Sequence, residues 1–180
     1  MPAPPPGTLK ARYARAMEWL YVGCIVVSGA SLVVITVIIP YGVFRRYVLD
    51  SAASWPEPLA VLLMIVFSFL GGAAVYRANV HIAVRALVDA VSEGPRRVLV
   101  RLADLGMVAT CLFMVVWGLQ LVETTWHQVI AEFPALSVGL TYVPVPLAGL
   151  FTLLFIVERL WVGDPPATSV MYRDQAGPAE

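Results

Sequence analysis

Histidine, cysteine and carboxylate side chains are where chemistry would begin, and this chain holds few of them in useful arrangements. Its two histidines, His81 and His127, could in principle ligate a haem. His81 follows one long apolar segment and His127 follows the next, so they fall toward opposite faces of a membrane. Two such residues cannot be the paired axial ligands of one haem, although a haem held by a single histidine stays open. Cys24 and Cys111 both lie inside apolar segments, with no CxxC or Cys/His ligand spacing nearby, and read as packing residues. Glu57, Asp104, Glu123, Glu132 and Glu158 all fall near the ends of apolar segments. A proton relay or ion path would instead put acids deep within a span. No catalytic, cofactor-binding or metal-binding residue is therefore assigned, and no enzymatic activity is expected.

The elements that would position these residues are apolar to an extent that excludes a water-soluble domain. Hydrophobic residues make up 59% of the 180 positions and charged residues 13%. A soluble domain carries about 25% charged residues, because its surface faces water. Segments of roughly 18 or more uncharged apolar residues can cross ~30 Å of hydrocarbon as helices. Four spans are read here, at about 17–44, 58–76, 102–122 and 144–162; their charges sit near the ends, span three staying uncharged over 105–122 and span four drawing on the uncharged stretch 133–157. The chain thus reads as an all-α integral membrane protein whose membrane domain covers 17–162. The first apolar run is too long for the core of a cleaved signal and lacks a small-residue cleavage site, so it reads as a span. Pro40 falls near the far end of span one, and Pro144 or Pro146 suits the first turn of span four.

Lysine and arginine set the orientation. Lys10, Arg12 and Arg15 precede span one; Arg77, Arg85, Arg96, Arg97 and Arg101 separate spans two and three; Arg159 and Arg173 end the chain. Only Arg45 and Arg46 lie on the other side. The positive-inside rule then predicts both termini in the cytoplasm. Between spans two and three, Val80, Val84, Leu87, Val88 and Val91 share one helical face, and His81, Arg85, Asp89 and Ser92 share another. That pattern predicts an amphipathic helix in the cytoplasmic interface at about 80–93, ended by Gly94-Pro95. Residues 1–16 and 163–180 read as disordered cytoplasmic tails. No internal repeat is evident, which weighs against a complete inverted-repeat transporter. Zero net charge gives no case for nucleic acid as a partner; the evident one is the lipid bilayer.

Small residues in span one (Gly23, Ser28, Gly29, Ala30, Ser31) and span two (Ser68, Gly71, Gly72, Ala73, Ala74) permit close helix approach. Whether the neighbouring helix belongs to this chain or to a partner is left open by spacing alone.

Several ordered patterns resemble the DctQ family, the small membrane subunits of tripartite ATP-independent periplasmic (TRAP) transporters. Val43-Phe44-Arg45-Arg46-Tyr47-Val48 is similar to that family's aromatic-Arg-Tyr close of the first span. Ser54-Trp55-Pro56-Glu57 resembles its Trp and acidic opening of the second. Phe69-Leu70-Gly71-Gly72-Ala73-Ala74-Val75-Tyr76-Arg77, followed by His81-Ile82-Ala83-Val84, resembles its Gly-Ala, Arg and His-Ile-x-Val signature. Pro134-Ala135-Leu136 and Tyr142, ahead of Pro146, resemble the approach to the fourth span. Two departures are Pro58 and Arg85, which stand where the family often has acids.

The resemblance implies a small permease subunit in the bacterial inner membrane. Its partners would be a large TRAP membrane subunit and a periplasmic solute-binding protein, in sodium-driven uptake of organic acids. It also marks Arg45, Trp55, Glu57, Gly71, Gly72, Arg77, His81 and Pro146 as candidate structural or subunit-contact residues. Trp55 also reads as an interfacial anchor. Arg45 reads as a cap on the end of span one or as the partner of Glu57 across the loop. His81 reads as a hydrogen-bonding group on the interfacial helix. The other readings open to this sequence are a membrane-anchor subunit of a redox complex and a stand-alone small channel or exporter.

Overall fold

The computed structural model describes residues 8–51, 53–78 and 93–163. Four long helices dominate, each apolar enough to cross a membrane. They are α1 (Leu9–Tyr47), α2 (Pro56–Arg77), α3 (Glu93–Thr125) and α5 (Pro144–Trp161). The expected four-helix membrane architecture is what forms. A short helix, α4 (Val138–Tyr142), and a two-stranded hairpin of β1 (Val129–Ile130) and β2 (Phe133–Ser137) join α3 to α5.

Helix ends differ from the sequence reading in ways that follow from local chemistry. Helix α1 starts at Leu9 rather than near Met17, so residues 9–16 are helical and not the disordered tail expected. Thr8 sets that start: its hydroxyl accepts from the Ala11 N–H, satisfying one of the orphan donors of a first turn. Pro40 lies inside α1, and the helix continues for two turns beyond it to Tyr47. Gly94-Pro95 lies in the first turn of α3, where the missing proline N–H costs no intrahelical bond. The interfacial helix expected over 80–93, and His81 with it, lies outside the described residues apart from Glu93.

A short hairpin lies between spans three and four, outside the ranges read as helices. Phe133 to Val157 is uncharged and reads as one apolar stretch, yet its first five residues form a strand. Pro134 cannot continue a helix but fits a two-stranded ribbon, where a residue needs a ladder bond on only one side. Val129 pairs with Ser137 and Ile130 with Phe133 in antiparallel register. Ser137 then switches the chain back to helix: its hydroxyl accepts from the Gly139 N–H (3.0 Å) and donates to the Trp126 carbonyl.

The helices pack chiefly in the order α1, α2, α5, α3, with a lesser contact between α1 and α5. Helix α5 is accordingly the most enclosed span, with Pro144, Pro146, Ala148, Gly149, Thr152, Phe155, Ile156 and Glu158 all buried. The core is thin. Met17, Tyr21 and Cys24 of α1 meet Ala73, Ala74 and Ala148, with Phe155 closing the cluster. Large aliphatic side chains such as Val33, Val37, Val61 and Leu112 stay exposed, which suits a surface facing hydrocarbon.

Close approach depends on glycine at two inner contacts. A Cβ on Gly149 would stand 3.0 Å from the Cys111 carbonyl oxygen, at the α3–α5 contact. One on Gly139 would stand 2.7 Å from the Val122 carbonyl and 2.9 Å from the Trp126 Cα. Those neighbours are backbone and yield only if an element moves. Gly72 has open space around it. Gly139→Ala is expected to destabilise the protein by about 1–3 kcal/mol through overpacking. Gly72→Ala is expected to be neutral or to stabilise by up to about 1 kcal/mol from helix propensity. Thermal unfolding in detergent measures both, and equal midpoints for the two variants would contradict the close backbone contact at Gly139.

Candidate functional site: a buried arginine that joins three helices

Arg77 ends α2 and is buried, with 6% of its surface exposed. A guanidinium remains charged under all physiological conditions, so burying it requires acceptors in matching geometry. Glu158 near the end of α5 supplies two: Arg77 Nε donates to Oε2 at 2.8 Å and Nη2 to Oε1 at 2.9 Å. This bidentate fork is the strongest pairing open to an arginine and a carboxylate. Nη1 donates to Glu18 Oε2 of α1 at 2.6 Å. The Tyr21 and Phe155 rings flank the guanidinium carbon, their centroids 5.0 and 5.6 Å away, within cation–π range.

One side chain therefore ties α1, α2 and α5 together at one end of the bundle. Two further contacts strengthen the same end. The Tyr13 hydroxyl donates to the Leu154 carbonyl at 3.0 Å, and its ring meets Trp161 edge-on at 5.8 Å. Arg159 reaches Asp104 of α3 at 3.4 Å, which brings in span three. Both members of that pair are partly exposed, so it contributes less than the buried fork.

The opposite end is held by the loop between α1 and α2. Asp50 adopts a φ of 46°, a left-handed conformation that Asp tolerates better than most residues. Arg45 Nη2 donates to Ser51 Oγ at 2.7 Å, and the Ser51 N–H donates to the Arg45 carbonyl. The arginine paired with Glu57 is Arg46, at 3.0 Å on an exposed surface. The expectation that Arg45 holds Glu57 is thus corrected: on a helix, neighbouring residues point about 100° apart, and Arg46 is the one aimed at α2. Trp55 packs against Tyr41 with ring centroids 6.0 Å apart. Gly42 leaves room for the buried Pro56.

Of the remaining candidates, Gly71 faces Ser28 of α1 across the α1–α2 contact, whereas Gly72 faces open space. Pro146 sits against Gly118 of α3, where an added Cβ would come within 3.0 Å of its ring. The candidates do not gather at one site: Arg77 stands at one end, Arg45, Trp55 and Glu57 at the other. Sequence reasoning missed Glu18 and Glu158 as partners of Arg77. The signal that could have found them is charge balance. An arginine and a glutamate at the same-side ends of two apolar spans each need a partner, and each is the nearest to supply it.

Among the described residues no group of histidine, cysteine or carboxylate side chains could hold a metal ion. The ion pairs among the described residues each join two helices.

A family model for tripartite ATP-independent periplasmic transporters, DctQ component, matches residues 35–164. The chain belongs to the DctQ family. It is also similar to a Haemophilus influenzae protein described as a TRAP transporter small permease. The two are 25% identical over 135 residues, 72% of this chain and 80% of the relative. The chain is thus a small permease subunit of a TRAP transporter and a multi-pass membrane protein. Within this DctQ protein the matched region takes in Arg77 and Glu158, while Glu18 precedes it.

Removing Arg77 leaves a buried, unpaired carboxylate at Glu158. Arg77→Met is therefore expected to destabilise the fold by about 3–5 kcal/mol. Glu18→Gln, which loses a partly exposed partner, should cost no more than about 1 kcal/mol. The double variant Arg77→Met/Glu158→Leu should recover most of the loss, because no buried charge is left unpaired. Unfolding in detergent with increasing denaturant gives all three values; a double variant as unstable as Arg77→Met alone would refute the pairing.

Proposed function

We propose that this DctQ subunit is a static scaffold. On this reading it joins a large membrane subunit and a periplasmic solute-binding protein, with both termini in the cytoplasm. The assembly uses a sodium gradient to import small organic acids, and the large subunit carries the solute and sodium sites.

The observation that carries the scaffold reading is the Arg77 network. A conduit needs polar groups in its path that exchange partners as the solute moves. Here the buried charges are consumed in a fixed cross-brace among α1, α2 and α5. The helices also pack largely in a row, which leaves broad apolar faces open for a membrane partner or lipid. A braced row is suited to widen the fixed part of an assembly against which another part slides. Ten of the twelve lysines and arginines fall in segments assigned to the cytoplasmic side, which supports the orientation.

Co-expression with its cognate large subunit tests the reading. The two are expected to co-purify from native membranes, and deleting this chain is expected to abolish sodium-dependent uptake of the cognate acid. Full uptake by the large subunit and binding protein alone would sink the scaffold role. Uptake unaffected by replacing sodium with potassium would sink the coupling.

A further inference from the structure

We propose that the outward face of α1, at its N-terminal end, binds the phosphate of an anionic phospholipid through Arg12 and Arg15, with Trp19 setting the depth.

A rotation of 100° per residue puts Arg12, Arg15 and Trp19 within a sector of about 60° on α1. Met17, Tyr21 and Cys24, the buried residues of this stretch, occupy the opposite side, so the sector faces away from the bundle. Both arginines are exposed, and Trp19 is 74% exposed.

Among the described residues, the ion pairs at this end of the bundle leave the two arginines unneutralised. The described acids paired at this end are Glu18, Glu158 and Asp104. Glu18 and Glu158 are held by Arg77, and Asp104 by Arg159. Glu18 is three residues from Arg15 and would be its natural helical partner, but it turns to Arg77 instead. Among the described residues, Arg12 and Arg15 take part in no ion pair. The first turn of α1 contains no acid.

Depth then identifies the ligand. Tryptophan settles at the edge of the hydrocarbon. Arg15 lies four residues, about 6 Å, beyond Trp19 along α1, and Arg12 lies seven residues, about 10 Å, beyond it. The headgroup layer outside the hydrocarbon is only about 5–8 Å thick on each side. Arg15 is therefore level with the phosphates, and the flexible side chain of Arg12 reaches back to them. Two guanidinium groups, each able to grip a phosphate with paired N–H donors, match an anionic headgroup and exceed what a zwitterionic one needs.

The test uses the full chain, purified with whatever membrane subunit accompanies it. It is placed in nanodiscs of phosphatidylcholine and phosphatidylglycerol at about three to one, and retained lipid is counted by native mass spectrometry. Wild type is expected to enrich phosphatidylglycerol over phosphatidylcholine. Arg12→Gln and Arg15→Gln are each expected to lower that preference about fivefold. Both side chains are exposed and unpaired, so the variants keep the wild-type unfolding midpoint. Lys10→Gln, on a different face, should change the preference less than about twofold. An Arg12→Gln/Arg15→Gln variant that keeps the wild-type preference overturns the site. An equal loss for Lys10→Gln also overturns it, because diffuse charge would then explain the binding. No enrichment by wild type when its membrane partner is bound overturns it as well, and identifies the face as a protein contact.

Discussion

Everything at one end of this bundle depends on satisfying a single arginine. Carrying a guanidinium into a low-dielectric interior costs several kcal/mol unless each donor meets an acceptor. Arg77 solves this with Glu158 in a two-point fork and Glu18 on a third donor. The result fixes more than electrostatics. A bidentate fork constrains both the distance and the rotation of α2 relative to α5, and the third bond constrains α1. Apolar contacts fix such geometry only through close packing of small residues, because lipid is as apolar as a neighbouring helix.

The packing around the fork follows from that constraint. Ala73 and Ala74 lie one turn before Arg77, where α1 and α2 must approach closely enough for Glu18 to reach it. Large residues there would hold the helices apart. Tyr21 and Phe155 fill the space beside the guanidinium with rings whose centroids lie within cation–π range of the charge. The other end of the bundle is held more lightly, by the Asp50 turn, the Arg45–Ser51 bond and an exposed Arg46–Glu57 pair. The connection from α3 to α5 relies on backbone contact at Gly139 and on the Ser137 cap. Constraint on helix distance and rotation is thus concentrated where the helices carry buried charge.

This arrangement bears on how a small permease subunit of a TRAP transporter contributes. Breaking the Arg77–Glu158 fork would leave a buried charge unpaired, so the network resists rearrangement. That resistance is what the proposed scaffold role calls for. Among the described residues, the acids that engage Arg77 and Arg159 leave the arginines on the outer face of α1 unopposed, so one set of internal pairs shapes both the interior and the surface.

Much of this architecture is legible in the amino-acid sequence. Hydrophobic length and charge scarcity dictate four membrane helices, because the backbone in lipid has to bond to itself and a helix is the simplest way to do so. Arginine placement gives the expected orientation, and the ordered patterns from Val43 to Pro146 carry the family. Local rules failed where tertiary context outweighed them. The helix over 9–16 is fixed by a Thr8 cap and by Tyr13 contacting α5, neither of which a hydropathy reading weighs. The strand at Phe133–Ser137 is apolar, and apolarity does not distinguish strand from helix over five residues. The choice of Arg46 over Arg45 for Glu57 depends on the rotation of α1 against α2. Above all, the sequence shows Glu18, Arg77 and Glu158 as three charges at span ends, separated by dozens of residues. Only the tertiary structure decides that they meet, because pairing depends on which helices stand side by side and at what rotation, and charge alone does not specify that.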